Sequence, residues 1–140
     1  VSGEEATYNL ADNLTVLGVC SYELGRIEKA EAFDRRALAL HREVAGEFHP
    51  RTATDLVNLA MIEAARSHYA EAEKWFRKAI EAYRANAHAA TGCGASIKAA
   101  IVLWKGGHKE ECEAECRETW EFYRAMVESD ATMADVRKQV

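Results

Sequence analysis

Gly25-Arg26-Ile27-Glu28-Lys29-Ala30-Glu31-Ala32, leading to Ala37-Leu38, returns as Ser67-His68-Tyr69-Ala70-Glu71-Ala72-Glu73-Lys74, leading to Ala79-Ile80. Ile27 and Tyr69, Ala30 and Ala72, Ala37 and Ala79, and Leu38 and Ile80 all lie 42 residues apart, and Leu14 and Leu17 match Leu56 and Leu59 at the same offset. A weaker third copy runs from Gly107-His108-Lys109-Glu110-Glu111-Cys112-Glu113 to Thr119-Trp120, about 40 residues after the second. A fixed period of this size marks a solenoid, whose units bury their apolar faces only by stacking on one another. Such a chain offers a surface rather than a reaction centre.

Working outward from the repeat, the sequence predicts helices throughout. There is one proline, Pro50, and no stretch of period-two alternation bounded by turn residues. The expected helices are 4–23, closed by Gly25, and 28–47, closed by Gly46 and the Phe48-His49-Pro50 turn. A third, capped by Thr52, runs to about residue 66, and a fourth spans 69–87. Residues 88–94, with Thr91-Gly92-Cys93-Gly94, read as a linker before a helix at 95–105. A long acidic helix at 109–128 and a short capping helix at 130–139, started by Ser129 or Asp130, complete the chain. The short connections force antiparallel helix pairs. The expected fold is all-α: one domain over 1–140, with helical-hairpin repeats at roughly 9–50, 51–92 and 93–128. Without an initiator Met, the chain reads as a piece of a larger protein.

Within each hairpin, Leu14, Leu17, Gly18 and Ser21 fall on one helical face, and Leu56, Leu59, Ala60 and Glu63 repeat that stripe. Ala30 with Ala37, and Ala72 with Ala79, are small residues two turns apart that permit close helix approach. Phe76 fills the gap between Ala72 and Ala79; in the first copy the large side chain is displaced to Phe33, leaving Asp34 at the matching place.

Composition narrows the function. At 140 residues and 49% hydrophobic content, the chain can bury a continuous core. A net charge of −5 argues against a nucleic-acid footprint, and no apolar run approaches a membrane span or a signal peptide. Four cysteines (Cys20, Cys93, Cys112 and Cys116) do not make a disulfide framework and suit reduced thiols in a cytoplasmic protein.

The same residues carry a family resemblance. Leu14-x-x-Leu17-Gly18, then Gly25-x-Ile27-x-x-Ala30 and Ala37-Leu38, resembles the tetratricopeptide pattern, and the second copy resembles it more closely. The long period, Asn58-Leu59-Ala60 and the His49-Pro50 turn are similar to the variant found in kinesin light chains. The resemblance covers about residues 10–123 and weakens in the third copy, where Ser96 and Ala99 replace leucines and Thr119 replaces alanine. It implies a right-handed superhelix whose first helices line a concave groove for a peptide or protein segment, with no catalysis and no cofactor. Mapped on this chain, the groove stripe comprises Asp12, Thr15, Val19 and Tyr22; Thr54, Val57, Asn58, Met61 and Ala65; and Ile97, Lys98, Ile101, Trp104 and Lys105. Its apolar members either form an interaction patch or pack between repeats and beneath the C-terminal helix. Lys98 and Lys105 favour a partner mixing apolar and acidic residues. Some relatives clamp a C-terminal carboxylate; here only Asn58 and Lys98 match that set, while Thr15, Val19 and Gly94 stand in the other places, too few donors for such a clamp.

Other chemistry is sparse. His108, Cys112 and Cys116 share one helical stripe, as a soft-metal site would, but Cys112 and Cys116 take the places of Ala72 and Phe76 and are expected as buried thiols. Cys93, in the linker, is expected to be open. The acidic run from Glu110 to Glu121 reads as a solvated face. His41, His49, His68 and His88 are expected at surfaces or turns, and no phosphate loop is present. Besides the peptide-binding reading, the apolar ends of a short array leave room for homodimerisation or assembly, and a catalytic part could lie in the remainder of a longer protein.

Overall fold

In the computed structural model, residues 2–85 and 89–138 are described, those at 89–91, 93 and 130–138 by their backbone alone. Among the described residues, six helices follow one another: α1 (Gly3–Glu23), α2 (Ile27–Ala45), α3 (Pro50–Ala65), α4 (Tyr69–Ala85), α5 (Ala89–Lys105) and α6 (Lys109–Lys138). They form three antiparallel hairpins, α1–α2, α3–α4 and α5–α6, and α2 stacks on α3 as α4 stacks on α5. The first helices of the hairpins also touch in sequence, α1 with α3 and α3 with α5. No strand occurs among the described residues.

The repeat is visible in the turns. Gly25, Ser67 and Gly107 stand at matching places and take positive φ of 71°, 63° and 81°. In each turn that residue's N–H donates to a carbonyl three residues back: Tyr22 (2.9 Å), Ala64 (2.9 Å) and Trp104 (3.1 Å). The next N–H reaches five back, to Ser21 (2.8 Å), Glu63 (2.9 Å) and Leu103 (2.9 Å), satisfying carbonyls that a helix end leaves open.

Helix starts differ from the sequence expectation. Ser2 caps α1 by accepting from the Glu5 N–H at 3.2 Å, and the acidic Glu4 and Glu5 suit the helix dipole. His49, not Thr52, caps α3: its ring accepts from the Arg51 N–H at 3.2 Å, and Pro50 takes the first helical turn, where a missing N–H costs nothing. Thr52 is buried and donates to the Gly46 carbonyl at 2.8 Å, closing the connection from inside.

Two further expectations are corrected. Residues 89–94, read as a linker from their glycines, are the first turns of α5. Gly92 is buried against α4: a Cβ there would sit 3.1 Å from Tyr83 Cβ, so helix approach outweighs the low helix propensity of glycine. His88 lies outside the described residues. The separate capping helix is also absent: α6 runs on for 30 residues, because Ser129 and Asp130 cost a helix interior only fractions of a kcal/mol and neither Gly nor Pro intervenes.

The core centres on the middle hairpin. Leu56, Leu59, Ile62, Ala72, Phe76, Ala79 and Ile80 are buried, joined by Ala30 and Leu38 from α2 and by Ala95, Ala99 and Val102 from α5. Ala30, Ala37, Ala72 and Ala79 are fully buried, as close helix approach requires. Position in the array decides the rest. Leu59 is 2% exposed with a hairpin on either side, whereas its counterpart Leu17, on the outermost helix, is 47% exposed.

Candidate binding cleft

A cleft of about 260 Å³ opens where the first helices meet. It is lined by Val19, Tyr22 and Glu23 of α1, Asn58 and Met61 of α3 and Lys98 of α5, with Asp34 of α2 reached from behind. Five of the sequence-predicted groove residues therefore converge: Val19, Tyr22, Asn58, Met61 and Lys98.

The others go elsewhere, because each helix turns its flanking positions toward different neighbours. Thr15 donates to Asp55 Oδ1 at 2.7 Å, and Thr54 meets the Tyr83 hydroxyl at 2.9 Å, tying α3 to α4. Val57 is buried in the core. Ile97 and Ile101 line a separate, almost wholly apolar depression of about 330 Å³ with Cys116 and Trp120, at the outer face of the last hairpin. Trp104 is 61% exposed and stacks under the Lys109 ammonium, 5.7 Å from the ring centroid. Lys105 is exposed, as is Ala65, and Asp12 is drawn into ion pairs with Arg51 and His41.

The electrostatics of the cleft come from Asp34. It occupies in α2 the place that Phe76 fills in α4, and it is just as buried, 1% exposed. Burial, then the charge of Asp55, push its carboxyl up to about 7, while the nearby Asn58 amide pulls the other way. Asp34 Oδ1, packed against Gly18, and Asn58 Nδ2 are both buried, with the Asn58 amide turned to the Asp34 carboxyl. Tyr22 is pushed above its ordinary value by burial and by the Glu23 charge.

A polar cluster braces the wall behind. His41, expected at a surface, is buried: its Nδ1 lies 2.6 Å from Asp55 Oδ2 and its Nε2 lies 3.2 Å from Asp12 Oδ1. Burial raises the Asp55 carboxyl, opposed by the hydrogen bonds from His41 and Thr15. This cluster joins α1, α2 and α3; His41 and Asp55 are buried, while Asp12 reaches the surface. The signal was legible: residues 30, 34, 37, 38 and 41 form one helical stripe, and two of its members are polar.

The cysteine expectations change as well. Cys112 is half-buried and its thiol is pushed up, first by desolvation and then by Cys116; Cys116 itself is exposed. In the place of Phe76 it lacks the covering helix that Phe76 has, and Glu115 turns inward instead. The Cys93 side chain lies outside the described residues. Among the described residues, no three His, Cys, Asp or Glu side chains gather as a metal site would need, and no helix is long and apolar enough to cross a membrane.

The sequence model of the tetratricopeptide repeat family matches residues 7–85. No curated protein sequence matches the chain. Among solved structures, the chain is similar to BtubC (BKLC) from P. vanneervenii, with a TM-score of 0.72 at 20% identity. That match covers 83% of this chain and 47% of the other, so the chain spans about half the length of that neighbour.

Proposed function

The chain belongs to the tetratricopeptide repeat family, whose members are generally non-catalytic mediators of protein–protein interaction, and on that premise we propose that it holds a peptide or protein segment in the cleft between α1, α3 and α5. One observation carries this reading: three successive first helices each contribute side chains to a single opening, with apolar Val19 and Met61 beside polar Asn58 and Lys98. The mixture suits a segment that presents apolar side chains and hydrogen-bonding groups together. Lys98 in the cleft and Lys105 further along α5 favour acidic residues in that segment, within a chain of net charge −5. Free thiols at Cys20, Cys112 and Cys116 are consistent with a cytoplasmic setting.

Titration with the native partner segment tests the reading. Asn58→Ala is expected to weaken binding by about 1–2 kcal/mol while leaving the circular dichroism and melting temperature close to the parent's. Full binding by the folded variant would place the site elsewhere. Trp104→Ala reports separately on an anchor beyond the cleft. A second reading, assembly through the array ends, draws on Val16, Leu17 and Leu24 at one end and Ile97, Ile101 and Trp120 at the other, all exposed.

A further inference from the structure

The joints between hairpins share one antiparallel register. Where α3 docks on α2, His41 meets Asp55 at 2.6 Å, Asp34 faces the Asn58 amide and Glu31 meets Arg66 at 2.6 Å. Where α5 docks on α4, Gly92 lies against Tyr83 and Gly106 against Tyr69, the same register one repeat on. On the face that carries Asp55, α3 buries Thr52, Asp55, Leu59 and Ile62. The equivalent stripe on α1, 42 residues earlier, is Leu10, Asn13, Leu17 and Cys20, and all four are exposed. The receiving hairpin α3–α4 buries Val57, Phe76 and Ile80. Their equivalents 40 residues later, Ile97, Cys116 and Trp120, line the open apolar depression on α5–α6. One chain thus carries both halves of an inter-hairpin joint, each unmade. The α1 half is not built as a solvated cap, since no residue from Asn13 to Tyr22 is charged.

We propose that a second copy of this chain docks its α1 on that depression, so that copies join head to tail and the stacking of hairpins continues from one molecule into the next. The inference rests on the assembly reading and names its two faces and their register. Carrying the internal contacts forward by the repeat sets Asn13 of one copy against Tyr123 of another, where Asp55 meets His41. It likewise sets Val16 against Cys116, where Asn58 faces Asp34. An amide can hydrogen-bond a phenol, and a valine packs against a thiol, so each couple stays matched although both of its members have changed. Cys20, one turn beyond Val16, comes opposite Cys112 and Cys116. Leu10, Leu17 and Cys20 together cover Ile97, Cys116 and Trp120, removing from water apolar surface that both faces expose. The Glu31–Arg66 ion pair has no equivalent, since Glu113 comes opposite Leu24. Symmetric pairings fit less well: α1 on α1 leaves the depression open, and α5–α6 on itself brings two acidic α6 helices together. The head-to-tail contact is heterologous, so each copy keeps one face open for the next.

Two variants of the 140-residue chain test this by sedimentation, with circular dichroism confirming that they fold. Both substituted side chains are exposed. Leu17→Glu spoils the docking face and keeps the depression; Trp120→Glu does the reverse. The parent is expected to gain mass beyond a dimer as concentration rises, and each variant alone to stay monomeric. Mixed in equal amounts, the variants are expected to form a heterodimer and stop there, because each supplies the face that the other lacks. On the parent itself, a short bismaleimide is expected to link Cys20 of one copy to Cys112 or Cys116 of another. Mass spectrometry of mixed isotope-labelled and unlabelled chains identifies such links. A parent that stays monomeric overturns both this inference and the assembly reading. Self-association of Trp120→Glu, a mixture that stays monomeric, or Cys20–Cys20 links overturn the head-to-tail arrangement and leave assembly standing. The cleft is tested separately, by partner titration of Asn58→Ala.

Discussion

At the scale of the residue, Asp34 carries the most consequence. Its folded-state carboxyl sits near 7 against an ordinary 3.8, so between those values the folded chain binds more protons than the unfolded one. The stabilisation this gives is complete below pH 4 and is lost as pH rises through about 7. Asp55, also raised by burial, contributes in the same direction. Urea unfolding is therefore expected to show stability falling between pH 5 and 7, by up to roughly 1.4 kcal/mol per pH unit from Asp34. Asp34→Asn should flatten that slope; an unchanged slope would mean that Asp34 is ionised and solvated. The sequence placed Asp34 at the position of Phe76 but credited Phe33 with the packing. Periodicity marks which positions face inward, and it does not say whether a carboxyl there is tolerated, which depends on neighbours contributed by α1 and α3.

At the scale of the element, close approach and end effects dominate. Ala72 is fully buried where α4 crosses its neighbours, so Ala72→Leu is expected to cost about 1–3 kcal/mol by overpacking, while exposed Glu71→Gln should change almost nothing. Thermal melting of both variants checks this, and equal melting temperatures would refute the crossing. In α6, Cys116 is exposed, with no helix of the described structure packed over it. Thiol labelling of the native protein, mapped by mass spectrometry, should modify Cys116 and the exposed Cys20 first. Cys112 should lag, since burial raises its thiol and depletes the reactive thiolate. Protection of Cys116 until unfolding would mean that something covers this face. The sequence expectation of two buried thiols failed here because α4 packs against both α3 and α5, whereas α6 packs against α5 alone.

At the scale of the whole molecule, the array leaves apolar side chains uncovered on both outer faces: Leu17 on α1 and Leu24 at its C-cap, and Ile101 and Trp120 on the α5–α6 hairpin. If those ends associate, light scattering should show mass rising with concentration, and Leu17→Glu should return the chain to a monomer. A monomer at all concentrations would retire the assembly reading and leave the cleft as the sole candidate surface. The sequence by itself determined the all-α class, the 42-residue period, the turn positions and the alanines of close approach. Each of these is written in local spacing, and local spacing fixes which side of a helix is apolar. Only the tertiary structure decided that Val57 turns into the core while Asn58 faces the cleft, that Gly92 continues a helix, and that His41 is buried between two carboxylates. Those outcomes depend on which helices stand on either side, and residues some 40 positions apart meet only when the hairpins stack.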